Sequence, residues 1–209
     1  MKNKFVITLF FCAAGLTLNA QNATPNSEHR AKNTIQSIRK AYGEVQEHIA
    51  RMTPNEEGYT QEPKEFYELN IDQNLPATGG HHERVLMYYG ELSTLDEVIY
   101  KPHYLQFATA KYNFAAREFY EEYLYNDKGQ LLFIFATTPD VIIGQTEVYE
   151  LRLWYDGKRL LRFTARSNGE ESFTGADIPP LFKDEVNRLK YRAEKMKTLF
   201  KNIDDNTYL

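Results

Sequence analysis

Cysteine is nearly missing from this chain. The single one, Cys12, lies in an apolar segment at the amino terminus, so the remaining sequence can form no disulfide and offers no thiol nucleophile or thiolate ligand. There is no glycine-rich phosphate loop, and no serine stands in the glycine-flanked elbow of a hydrolase. The common nucleotide-binding and covalent mechanisms therefore lack their first residue. Beyond residue 20 no apolar run approaches the roughly 20 residues that a membrane-spanning helix needs. Basic blocks are lacking as well. With 25 Lys and Arg against 29 Asp and Glu, the formal charge of -4 argues against nucleic acid or anionic lipid as a partner held by bulk attraction.

What stands at the amino terminus reads as an export signal. Lys2 and Lys4 precede an apolar run from Phe5 to Leu18, and Leu18-Asn19-Ala20 puts a small residue before Gln21. A charged start, a short apolar core and a small residue at the cut define a secretory signal peptide over residues 1–20. A lipid-anchored form would need a cysteine at the cut; Cys12 follows Phe10-Phe11 and cutting there would discard half the apolar core, so that reading is rejected. Cleavage removes Lys2 and Lys4, leaving 23 basic against 29 acidic residues and moving the charge from -4 to -6. A cysteine-free exported domain suits a bacterial envelope better than a eukaryotic secretome, so a periplasmic or extracellular location is expected. Residues 21–209 are enough for one domain with a real core.

Two amphipathic helices bracket that domain. Ile35, Ile38, Tyr42, Val45, Ile49 and Met52 recur at alternating steps of three and four, one apolar stripe of a helix over about 27–52 that Thr53-Pro54 ends. Gly43 interrupts it at a cost of about 1 kcal/mol against alanine, so a weakened helix or a close backbone contact is expected there. After Asp177-Ile178-Pro179-Pro180, a second stripe of Phe182, Val186, Leu189, Ala193, Met196, Phe200 and Ile203 predicts a helix over about 179–203.

Between them the composition turns to strand. Ten of 15 tyrosines, six of 13 phenylalanines and the only tryptophan fall between Gly80 and Arg166, and aromatic residues suit a pleated, half-buried surface. Strands are expected at 65–71, 84–90, 104–113, 118–125, 131–136, 147–155 and 159–166, joined by short turns. The fold class is therefore α+β: a curved antiparallel β-meander of about six or seven strands over about 65–166, with both helices covering one face and an aromatic face left open.

Two hairpins are the clearest local signals. Tyr125-Asn126-Asp127-Lys128-Gly129 leads to Leu131, with Gly129 supplying the left-handed residue of a three-residue loop. In the second, Tyr155-Asp156-Gly157-Lys158 carries an Asp-Gly pair. Pairing Leu153 with Leu161, Leu151 with Phe163 and Tyr149 with Ala165 separates apolar from charged residues, which requires a bulge or an extra loop residue. The two stretches are loose copies of each other.

Three sets of residues invite a functional reading. Trp154, Arg152 and Arg162 project together from the second hairpin with Glu150 beside them, and tryptophan and arginine are enriched at binding hot spots. The bland alternative is a Trp154 buried under a helix. Gly79-Gly80-His81-His82-Glu83-Arg84 offers two imidazoles and a carboxylate, with His103 as a distant further ligand, but the histidines lack the four-residue spacing of the helical zinc motif. An exposed loop leading into the strand at Arg84 is the simpler expectation. Glu121-Glu122 and Glu170-Glu171 are adjacent carboxylates whose side chains point to opposite faces in a strand and cannot share a proton; both pairs read as solvated charge.

These features order three functions. First stands an exported, non-catalytic binding protein that recognises a protein or an envelope polymer through an aromatic sheet face. Second is a periplasmic carrier of an apolar small ligand held between sheet and helices, and third a hydrolase or metal site around His81 and His82. No cofactor is expected.

Overall fold

The computed structural model describes residues 25–92, 102–139 and 147–207. The leader expected over residues 1–20 lies outside them. Helix α1 (Pro25–Met52) is followed by eight strands, β1 (Phe66–Leu75), β2 (Gly79–Glu91), β3 (His103–Phe114), β4 (Arg117–Tyr125), β5 (Leu131–Pro139), β6 (Val148–Asp156), β7 (Arg159–Ser167) and β8 (Glu170–Gly175). A 3-10 turn at Pro180–Phe182 then leads into α2 (Lys183–Thr207). The strands form one antiparallel sheet in sequence order, β1 to β8. The α+β meander thus has one strand more than expected, because Asn168-Gly169 takes left-handed φ values of 52° and 83° and closes a further hairpin. Glu170 and Glu171 therefore begin a strand, β8, beyond the last one expected.

The helices do not share a face. Residues Ile38, Val45 and Met52 of α1 pack with Tyr88, Phe107, Leu124, Phe133 and Trp154. Val186, Leu189, Ala193, Met196 and Phe200 of α2 pack with Met87, Ala108, Tyr123, Ile134, Leu153 and Phe163. Side chains alternate between faces along a strand, so these neighbouring positions assign α1 to one side of the sheet and α2 to the other. The expectation of two helices on one face is corrected: each strand in the middle of the sheet is apolar at consecutive positions, and both faces demand cover. Burying each large stripe residue contributes about 1.5–3 kcal/mol, which fixes both helices by area alone.

Bulges adjust the alternation. Where Tyr88 faces Phe107 and Tyr89 faces Leu105, Gln106 is the extra residue; Leu132 and Leu161 play that part between β4 and β5 and between β6 and β7. The bulge expected in the second hairpin is present, but the pairs differ. Leu153 faces Phe163, Leu151 faces Ala165 and Tyr149 faces Ser167. The turn sits one residue later than the Asp-Gly pair suggests: Gly157, at φ 60°, and Lys158 form it, while Asp156 pairs with Arg159 and accepts from its guanidinium at 3.3 Å. The shift of two leaves Phe163 and Ala165 on their expected face, whereas Leu161, as the bulge residue, packs on the α1 side with Trp154 instead of opposite Leu153. In the first hairpin Gly129 has φ 69° and Asn126 closes the loop, its side-chain oxygen accepting from the Lys128 and Gln130 amides.

Candidate functional site

Where α1 runs beside β6 and β7, an open cleft of about 340 Å³ lies between helix and sheet. Arg152 and Trp154 come from β6, Arg162, Thr164 and Arg166 from β7, and Ile38, Arg39 and Tyr42 from α1. Cross-strand pairing sets Trp154 against Arg162 and Arg152 against Thr164, so the three residues singled out in the sequence meet in one place. Trp154 is only 4% exposed and packs on Phe133 at a ring separation of 5.3 Å. The face expected to be open is roofed by α1, and Trp154 is core at the cleft floor rather than an exposed platform.

The cleft is rich in guanidinium. Arg39 and Arg162 approach the Trp154 ring from helix and strand, at 5.7 and 5.8 Å from its centroid. Arg162 also donates to the Thr174 hydroxyl at 3.1 Å. Arg152 lies over Phe135 at 5.0 Å and pairs through Nη2 with Glu150 at 3.1 Å, while its buried Nη1 has no hydrogen-bond partner among the described residues. Arg39, Arg162 and Arg166 have no carboxylate within ion-pair distance among the described residues, although Glu171 stands on the cleft wall. Below Tyr42 lies a buried carboxylate. Glu122 accepts from the hydroxyls of Tyr42 at 2.6 Å and Tyr120 at 2.8 Å, and burial followed by that neighbouring charge pushes both phenols well above their ordinary range.

Arg39, Thr164 and Arg166 escaped the sequence reading. Thr164 and Arg166 continue the alternation from Arg162 and were accessible by the same step of two. Arg39 was not, because a single apolar stripe does not say which sheet face its helix covers.

On the opposite face Glu121 is fully buried and binds four donors. Tyr112 and Tyr123 donate to it at 2.8 and 2.6 Å, and Arg188 and Arg192 of α2 at 2.8 and 2.6 Å. Arg192 reaches on to Glu83 at 2.6 Å. Burial alone would raise the Glu121 carboxyl; Arg192 and Arg188, with the Tyr123 and Tyr112 hydroxyls, outweigh it and hold the group below its ordinary value. Glu121 and Glu122 are thus interior anchors, and the expectation of solvated charge at this pair is corrected: Glu121 is satisfied by Tyr123 of its own strand, Tyr112 of β3 and the two α2 arginines, and Glu122 by Tyr120 of its own strand and Tyr42 of α1.

The histidine cluster is not a loop. Gly79 to Arg84 form the start of β2, paired with Asn70 to Leu75, because β1 runs on past Ile71 and turns through Ala77 at φ 62°. Being consecutive in a strand, His81 and His82 point apart. The His81 ring contacts the Asn113 carbonyl oxygen at 2.6 Å and stands 3.6 Å from Glu83, whereas His82 pairs with Asp72 at the surface. His103 is bonded to Asp204 at 2.8 Å at the far end of β3, roughly 30 Å along a strand rising about 3.4 Å per residue. Among the described residues no three His, Cys, Asp or Glu side chains are grouped to hold a metal ion, and no helix is long and apolar enough to cross a membrane.

No protein family model, no curated protein and no solved structure matches this chain.

Proposed function

We propose that the protein is an exported, non-catalytic binding protein of the bacterial envelope, which recognises a protein or polymer partner at the cleft between α1 and strands β6 and β7. The observation that carries the reading is the meeting of Arg152, Trp154 and Arg162 in one open concavity, with Arg39 and Arg166 alongside. Arginine held over rings that are themselves packed is poised for contact at little cost in side-chain entropy, which is how binding surfaces concentrate affinity. The cleft contains no arrangement of nucleophile and base, and its one lining carboxylate, Glu171, has no imidazole beside it among the lining residues. Export rests on the leader at residues 1–20.

Native mass spectrometry of the protein purified gently from its own envelope tests the reading, together with a photo-crosslinking residue placed at the exposed Arg166 position. An adduct that disappears on denaturation, or a crosslinked partner lost when Arg152 and Arg162 are both replaced by alanine, is the expected result. A bare mass together with no crosslink in the producing cell would sink it. An apolar small molecule released on denaturation would favour the carrier reading instead.

A further inference from the structure

We infer that the α1 cleft takes an oxyanion, a carboxylate or phosphate group, as the part of the partner it recognises; this rests on the binding reading above and specifies its chemistry.

The charge balance of the cleft carries the inference. Four guanidiniums, those of Arg39, Arg152, Arg162 and Arg166, line one concavity of about 340 Å³ whose lining, among the described residues, holds a single carboxylate, Glu171. The chain as a whole is acidic, at -4, so this concentration of positive charge runs against its composition. Elsewhere the same protein neutralises its interior arginines: Arg188 and Arg192 are each paired with two carboxylates at 2.6–2.8 Å. Among the described residues, only Arg152 of the cleft has such a partner, Glu150 at 3.1 Å, and it commits one nitrogen to it. Like charges gathered in a concavity repel one another, and the arrangement becomes favourable once an anion enters.

The geometry suits oxygen acids. Guanidinium presents paired N–H donors that match two oxygens of a carboxylate or phosphate, and such bonds are about twice as strong as neutral ones. Arg39 comes from the helix and Arg162 from the sheet, and their guanidiniums stand 5.7 and 5.8 Å from the Trp154 ring. An oxyanion at the cleft mouth would therefore tie α1 to β7. Ile38, Phe133 and Trp154 add an apolar floor against which the carbon skeleton bearing the acid can rest.

Because Trp154 is the only tryptophan, its fluorescence reports on this cleft alone. The experiment titrates the purified protein with inorganic phosphate, glucuronate and polygalacturonate, and in parallel with neutral dextran and with decanol, at about 50 and about 200 mM salt. The expected result is a saturable change with at least one of the anionic probes, weakened at higher salt and by about tenfold or more in Arg162→Gln and in Arg166→Gln. Similar affinity per acid group for glucuronate and its polymer analogue would identify a free small acid; binding of the polymer alone would identify a polymeric source. Arg166 is exposed, so Arg166→Gln keeps the fold even if Arg162→Gln does not, and a thermal melt verifies this for each. Anionic binding unaffected by both substitutions would overturn the inference. So would a response to dextran or decanol with none to the acids, which would leave the binding reading standing. Silence from all five probes also overturns it, and the crosslinking result then decides the broader reading separately.

Discussion

Glu121 and Glu122 are consecutive in β4, yet their carboxylates lie on opposite sides of the sheet, and each accepts a hydrogen bond from the helix that covers its side. Glu121 holds two guanidiniums of α2, whereas Glu122 holds the Tyr42 hydroxyl of α1. Because the first pairing is ionic and the second is between a charge and neutral donors, the two residues should respond differently to the same change.

Glu121→Gln leaves Arg188 and Arg192 partly buried with their shared counter-charge gone, and should destabilise the fold by about 3–5 kcal/mol. Glu122→Gln keeps an oxygen that can accept from Tyr42 or Tyr120 and should cost about 1–2 kcal/mol. Urea unfolding of the two variants checks the order; equal losses would contradict it.

Stability should fall in acid. The Glu121 carboxyl is held below its ordinary value of 4.5 in the folded protein, so its contribution is complete above that value and is lost as pH falls through the depressed folded value. The loss should be smaller in Glu121→Gln, which has nothing to protonate there. Midpoints of urea unfolding between about pH 6 and pH 3 would show the difference in slope.

At the alkaline end the sign reverses. Burial raises the phenols of Tyr42, Tyr112, Tyr120, Tyr123, Tyr125 and Tyr155 above their ordinary value of 10.0. Their contribution is present below 10 and is lost as pH rises towards the folded values, because the unfolded chain releases those protons first. Absorbance titration at about 295 nm should show the phenols of these six tyrosines ionising together in one step at unfolding, above their ordinary value.

Two glycines should behave oppositely. A methyl group at Gly43 would meet nothing within 4 Å among the described residues, which favours the weakened helix over a close backbone contact, and Gly43→Ala should stabilise α1 by up to about 1 kcal/mol. At Gly90 the added carbon would lie 2.7 Å from the Tyr104 ring across the β2–β3 pair. Gly90→Ala should cost about 1–3 kcal/mol, and Tyr104→Ala should relieve much of it in the double variant. Thermal melts of the four proteins test both statements.

Local signals carried most of this fold into the sequence. The two stripes located both helices, Thr53-Pro54 stopped the first after Met52, and the Trp154, Arg152 and Arg162 side chains came together because alternation alone fixes a face. Long-range facts were not legible. Whether α1 and α2 share a face depends on which of two apolar surfaces each stripe meets, and the sheet offers one on each side. Glu121 and Glu122 looked like surface charge because the helix residues that bury them, such as Arg192 and Tyr42, lie at separations of 71 and 80 residues, beyond any motif. His81 and His82 looked like a loop because two glycines precede them, although the strand pairing with Gln73 and Asp72 runs through.

Strand order that copies chain order also sets a sequence of events. Every strand pair is a neighbour along the chain, so the sheet can zip up through successive short closures, each entropically cheap. The helices are wired differently: Tyr42 must find Glu122 across 80 residues and Arg192 must find Glu83 across 109. The ribbon can therefore form before either lid is on, and during that interval both of its apolar surfaces face water. For this chain the hazardous moment in folding is the wait for its two ends.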